Sequence, residues 1–178
     1  MRRGTLIFAA GLLSLSALMP VTALASTKLT EYVVGAEYAV GTCPGGGDSG
    51  SFAGVGSATK GGSPNALFNT TICHTALTSQ GQATILPGGG FQLATSKRRL
   101  VGQYAGGTVG PGVITPLGYF CKEEFPVVAS LGPISPPPGA TSIREGTAVG
   151  TLTHVGVLTP GGCRAFAASI AGVATLVY

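Results

Sequence analysis

The chain is built from short segments that alternate with a period of two. In residues 30–41, Tyr32, Val34, Ala36, Tyr38 and Val40 fall on one side of an extended strand, with Glu31, Val33, Gly35 and Glu37 on the other. In residues 98–105, Arg99, Val101 and Gln103 share a face opposite Leu100, Gly102 and Tyr104. In residues 143–155, Glu145, Thr147, Thr151 and Thr153 oppose Ala148, Gly150, Leu152 and His154. Such alternation predicts antiparallel strands with one face buried and one wet. Beyond residue 26 no segment carries a sustained helical period with caps. The expected class is therefore all-β.

Glycine and proline punctuate these strands. The 30 glycines and 12 prolines cluster at 44–50, 61–65, 87–90, 106–112, 132–140 and 159–162, which are the expected breaks. Other glycines fall inside the strand patterns: Gly54, Gly56, Gly102, Gly150 and Gly172. There they imply bulges or tight bends, which let a sheet curl and close. This favours a small antiparallel β-barrel, with a β-sandwich as the alternative. The stretch Ser51-Phe52-Ala53-Gly54-Val55-Gly56 is echoed by Ser169-Ile170-Ala171-Gly172-Val173-Ala174. The echo reads as two strands with similar neighbours rather than as a repeat array.

The N-terminus changes the setting. Arg2 and Arg3 precede an apolar run from Leu6 to Leu18, Pro20 ends it, and Ala23-Leu24-Ala25 suits a signal peptidase. Residues 1–25 read as a secretory signal peptide, cleaved after Ala25, and residues 26–178 as one barrel-like domain. The expected location is secreted and extracellular, or periplasmic. The apolar run is too short for a membrane span, and no stable membrane insertion is expected. Without Arg2 and Arg3 the net charge of +4 falls to +2. The one basic cluster, Lys97-Arg98-Arg99, reads as a solvated turn, so a nucleic-acid partner is not expected.

The four cysteines, Cys43, Cys73, Cys121 and Cys163, are even in number and lack the close pairs of a zinc site. In an exported chain they predict two disulfides. Three pairings are possible, and the one that stays within each half of the chain, Cys43–Cys73 with Cys121–Cys163, is the expected one.

Three segments carry a family likeness. They are Gly50-Ser51-Phe52-Ala53-Gly54-Val55-Gly56-Ser57-Ala58, then Gly89-Gly90-Phe91-Gln92-Leu93, then Leu100-Val101-Gly102-Gln103-Tyr104-Ala105-Gly106-Gly107-Thr108. Together they resemble the glycine-spaced strands of small secreted barrels of the allene oxide cyclase and dirigent type. The resemblance implies a barrel that acts on a small hydrophobic or phenolic molecule. No catalytic motif of that group is matched, and none is carried over.

Candidate chemistry is sparse. Asp48-Ser49 within Gly47 to Gly50 is similar to the nucleophile motif of chymotrypsin-like proteases, but no histidine precedes it, and it reads as the end of a glycine loop. Cys73 and His74 are neighbours on a strand and face opposite ways, so they make a poor nucleophile–base pair. No metal-binding spacing and no phosphate-cradling loop is present, and no cofactor is expected. The residues best able to reach a barrel opening are Arg99, Tyr104 and His154, as a site for an anionic or phenolic ligand. A lumen filled with Val, Leu and Phe implies a passive barrel with a structural role, and a cavity lined by polar side chains implies ligand binding. No catalytic residue is assigned, and the expectation leans against an enzyme.

Overall fold

The computed structural model describes residues 27–60 and 65–178, so the signal peptide and its cleavage point lie outside the described residues. Ten strands follow in order: β1 (Lys28–Thr42), β2 (Asp48–Lys60), β3 (Ala66–His74), β4 (Ala83–Ala94), β5 (Arg99–Val109), β6 (Val113–Leu117), β7 (Phe120–Gly132), β8 (Ala140–Ser142), β9 (Glu145–Thr159) and β10 (Gly162–Val177). Eight of them close an antiparallel barrel in the order β1-β2-β3-β4-β5-β7-β9-β10, with β10 returning to β1. The barrel, and not the sandwich, is the fold. β6 extends from β7 as a hairpin, and β8 runs parallel to the start of β5. None of the described helices is long and apolar enough to cross a membrane, because the described residues contain no helix.

Closure depends on how far the strands can coil, and glycine decides this at the seam between β5 and β7. The ladder from Gln103–Gly132 to Val109–Val127 is interrupted between Tyr104 and Gly106, where one extra residue bends β5. Gly106 and Gly107 take φ values of 151° and 142°, which side-chain-bearing residues rarely adopt. A Cβ on Gly107 would lie 2.2 Å from the Val128 carbonyl oxygen. The internal glycines flagged by the sequence do the same on the far wall. Gly54 faces Gly35, and Gly172 faces Gly150, across adjacent strands. The echoed segments of β2 and β10 prove to be the two strands that flank β1.

Two expected breaks are not breaks. Residues 87–90 lie inside β4, as an irregularity in its pairing with β3 and β5, and Gly106 and Gly107 lie inside β5. In both places glycine bends a strand instead of ending it. Conversely, the chain turns at 75–82 and 95–98, where hydroxyls rather than glycine clusters form the turn. Thr95 Oγ1 accepts from the amides of Lys97 and Arg98, and Thr78 Oγ1 accepts from Gly81.

The inward faces of β5 and β9 are those the alternation predicts, with Leu100, Tyr104 and Leu152 buried. β1 behaves differently. Its inward set is Glu31, Val33 and Gly35, and its outward set is Tyr32, Val34, Ala36 and Tyr38. There Val33 packs in one core cluster with Phe52, Phe68 and Phe91.

One end of the barrel is sealed. Leu29, Ala66, Leu93, Leu100, Ile143 and Leu176 are all buried there, and Thr27 and Tyr178 exchange two backbone hydrogen bonds that extend the β1–β10 ladder. The opposite end carries both disulfides, Cys43–Cys73 and Cys121–Cys163, in the expected pairing. Ser49 of β2 stands opposite both Gly41 and Cys73, so the first bridge ties the end of β1 to β3 across β2. Cys121 stands opposite Gly156 and Cys163 opposite Leu158, so the second ties β7 to β10 across β9. Each bridge thus holds three adjacent strands at the rim.

Two expectations follow. Replacing either cysteine pair with alanine should lower the unfolding free energy by about 3–4 kcal/mol, from loop entropy alone. Denaturant titration of each double variant measures it. At the seam, Gly107→Ala should destabilise more than Gly106→Ala, because nothing lies within 4 Å of a Cβ at 106. The first should lose about 2–3 kcal/mol through steric conflict and the second about 1 kcal/mol through backbone strain.

Candidate functional site: a cup at the barrel mouth

Above the packed lower lumen, the disulfide-bearing end opens into a cavity of about 740 Å³. Its floor is apolar, formed by Phe52, Ile72, Val127, Leu152 and Ala168. Its walls carry Glu37, Asp48, His74 and His154. Both histidines of the chain therefore meet in one place. They arrive from opposite walls, His74 at the last position of β3 and His154 midway along β9.

Strand register gives each histidine an acidic partner. Asp48 at the start of β2 stands opposite His74, and Glu123 of β7 stands opposite His154. Residues opposed in this way bring their Cβ atoms within about 4.5–5.5 Å. Glycine makes room for two of the acids. A Cβ at Gly50 would lie 2.6 Å from Glu37 Oε1, and one at Gly112 would lie 2.7 Å from Glu123 Oε1. Any side chain at either position would push the carboxylate out of the place it holds.

The protonation states follow from burial. His74 Nδ1 lies 2.8 Å from the Thr75 carbonyl oxygen. A carbonyl can only accept, so Nδ1 carries the proton, and in the neutral ring Nε2 is the acceptor. His154 packs edge-on to Phe125, with centroids 5.1 Å apart. Burial first, and the charge of His74 second, lower its pKa below the ordinary 6.5. Burial raises the pKa of Glu37, partly offset by His74, and burial alone raises that of Glu123. No lysine or arginine lines the cup, which sets two imidazoles, two carboxylates and the hydroxyls of Thr42 and Ser49 over an apolar floor.

Of the three residues singled out from the sequence, only His154 lines this cup. Arg99 is on the outer surface at the sealed end, where its Nη2 donates to Gln92 Oε1 at 2.6 Å. Tyr104 points inward but is fully enclosed lower in the lumen. There Thr70 Oγ1 donates to the Gly90 carbonyl at 3.0 Å, so the Tyr104 hydroxyl, 2.7 Å away, donates to Thr70. Burial pushes the phenol pKa up to about 12, against the opposing effect of that hydrogen bond. Beside Tyr104 remains a void of only about 40 Å³, bounded by Val33, Phe68 and Phe91. The three residues do not converge, and with Arg99 outside the cup its lining has no lysine or arginine for an anionic ligand.

Sequence reading weighed Asp48 and His74 in catalytic motifs and set them aside, and it placed Glu37 in no site. Asp48 and His74 are far apart in the chain and become neighbours only through the β2–β3 register. The available signal was the inward parity of His74, opposite to Cys73, which the structure bears out: Cys73 is bridged at the rim while His74 faces the cup. The Gly47–Gly50 segment is indeed a loop end. Gly46 and Gly47 both turn at a φ of 87°, and Asp48 opens β2. Among the described residues, no group of three His, Cys, Asp or Glu side chains is placed to hold a metal ion.

Comparison of the chain with protein-family models, with curated protein sequences and with solved structures found no match.

The depressed pKa of His154 has a sign that can be checked. A base whose folded pKa lies below its unfolded value contributes stability that is present above pH 6.5 and lost as pH falls through the folded value. The melting temperature of the native chain should therefore drop relative to that of His154→Asn as pH is lowered below about 6.5. Parallel melting curves for the two proteins, taken across that range, supply the measurement.

Proposed function

We propose that this chain is an exported, non-catalytic barrel that binds a small amphipathic molecule in its cup. The ligand has an apolar body, seated on Phe52, Ile72 and Leu152, and a hydrogen-bond-donating head such as a phenol, directed at His74 and its acidic neighbours. The observation that carries this reading is the lining of the cavity. It combines an apolar floor with two imidazoles and two carboxylates, and has no lysine or arginine. Its volume falls in the range of small-molecule sites, roughly 300–1,000 Å³. A donor head satisfies His74 Nε2, which a carboxylate or an ether oxygen cannot do. The resemblance to allene oxide cyclase-type and dirigent-type barrels, which implies a hydrophobic or phenolic molecule, points the same way. Two rim disulfides are compatible with an extracellular or periplasmic setting.

Calorimetry with three probes of one shape tests the reading: para-propylphenol, its methyl ether and para-propylbenzoate. The phenol should bind, the ether should bind about tenfold more weakly for one lost hydrogen bond, and the benzoate should not bind detectably. His74→Phe should remove the preference for phenol over ether. Equal binding of phenol and ether, or tighter binding of the benzoate, contradicts the proposal.

A further inference from the structure

The outer wall formed by β9, β10, β1, β2 and β3 is unusually bare of charge. Lys28, Lys60 and Glu145 lie near the lower ends of their strands, and Arg164 near the upper end of β10. Between them, among the described residues, no outward position on these five strands is Asp, Glu, Lys, Arg or His. Large apolar side chains stand there instead. Val55 is 55% exposed, Leu67 65% and Val149 56%, with Tyr32, Val34 and Val173 also largely open. Soluble chains rarely leave so wide an apolar surface unoccupied.

We infer that this wall is the interface with a second copy of the same chain, related by a two-fold axis passing near β1. Three observations select that occupant. First, the bare wall does not go round the barrel. The remaining outer surface carries Gln92, Arg99, Gln103 and the Lys122–Glu124 ion pair, so the wall is a patch and not a lipid-facing belt. Second, a charge-free face can be laid against itself without opposing like charges or burying an unpaired ion. Third, its relief is self-complementary. On one side of β1 lies a groove of about 320 Å³, lined by Tyr32, Val34, Val55 and Leu67. On the other side Val173 and Val149 form a row in register with Tyr32. A two-fold axis near β1 carries the valine row of each copy to the groove of the other.

Five of eight barrel strands wrap more than half the circumference, so the contact centres on β10, β1 and β2. Three strands at about 4.8 Å spacing and about eight residues at 3.3 Å rise cover on the order of 400 Å² before side-chain relief, the size of a small interface.

Sedimentation velocity of the exported protein at micromolar concentration tests the inference. The native chain should sediment as a dimer. Val55→Glu, in the groove, and Val173→Glu, in the row, should each sediment as monomers with an unchanged far-ultraviolet circular dichroism spectrum. Gln103→Glu, on the other side of the barrel, should remain a dimer. The two sites lie on different strands, so a folding failure of one variant leaves the other to decide. A native monomer overturns the inference, whether or not it co-sediments with phosphatidylcholine vesicles. So does a dimer that survives both substitutions.

Discussion

The meeting of β5 with β7 is the contact on which the rest of the molecule depends. An antiparallel sheet of eight strands closes only if its two outer members can be bent into hydrogen-bonding range. Here the bend is made by an extra residue after Tyr104 and by two successive glycines whose backbone angles exclude side chains. Gly107 also lets β5 approach the Val128 carbonyl more closely than any Cβ would allow. Glycine pairs in β1–β2 and β9–β10 supply the matching curvature on the opposite wall. Without the seam, β5 and β7 would be open edges and the lumen would be a groove.

Closure divides the interior into two regions with different chemistry. Toward the sealed end, Phe, Leu and Ile fill most of the space beside the buried Glu31, and Tyr104 and Thr70 satisfy each other together with the Gly90 carbonyl. Toward the other end the same strands present smaller or polar side chains, and a cup remains. Both disulfides are at this end, where the apolar core is thinnest and where strand ends would otherwise fray. The rim is thus held by covalent bonds rather than by packing, which keeps the cavity from being filled by collapse of its own walls. The polar lining and the apolar floor come from this division, and the proposed ligand chemistry follows from both.

Much of the fold was legible in the sequence because it is local. The period-two alternation of β5 and β9, the glycines inside strands and the spacing of the cysteines each report on their immediate neighbourhood, and the all-β barrel and the disulfide pairing followed from them. What was not legible depends on packing across the barrel. Glycine marks both a turn and a bend, so Gly88 to Gly90 and Gly106 to Gly107 looked like strand ends. β1 turns Glu31 inward and Tyr32 outward, and alternation alone does not say which of its two faces is buried. The cup was hidden for the same reason. Asp48 with His74, and Glu123 with His154, are brought together by strand register, and the sequence pointed only to His154 among them. Arg99 was attractive as a donor able to reach a barrel opening, yet its strand face carries it outward.

The most direct test is residue-resolved amide hydrogen exchange along the seam. In an antiparallel strand with a neighbour on each side, successive amides bond alternately left and right, whereas at an open edge every second amide meets water. The closed barrel predicts that residues 127–131 of β7, paired with β5 on one side and β9 on the other, exchange slowly at successive positions, like the centre of β1. Rapid exchange at every second amide of that segment, with β1 still protected, would mean that the sheet is open there and would contradict the account.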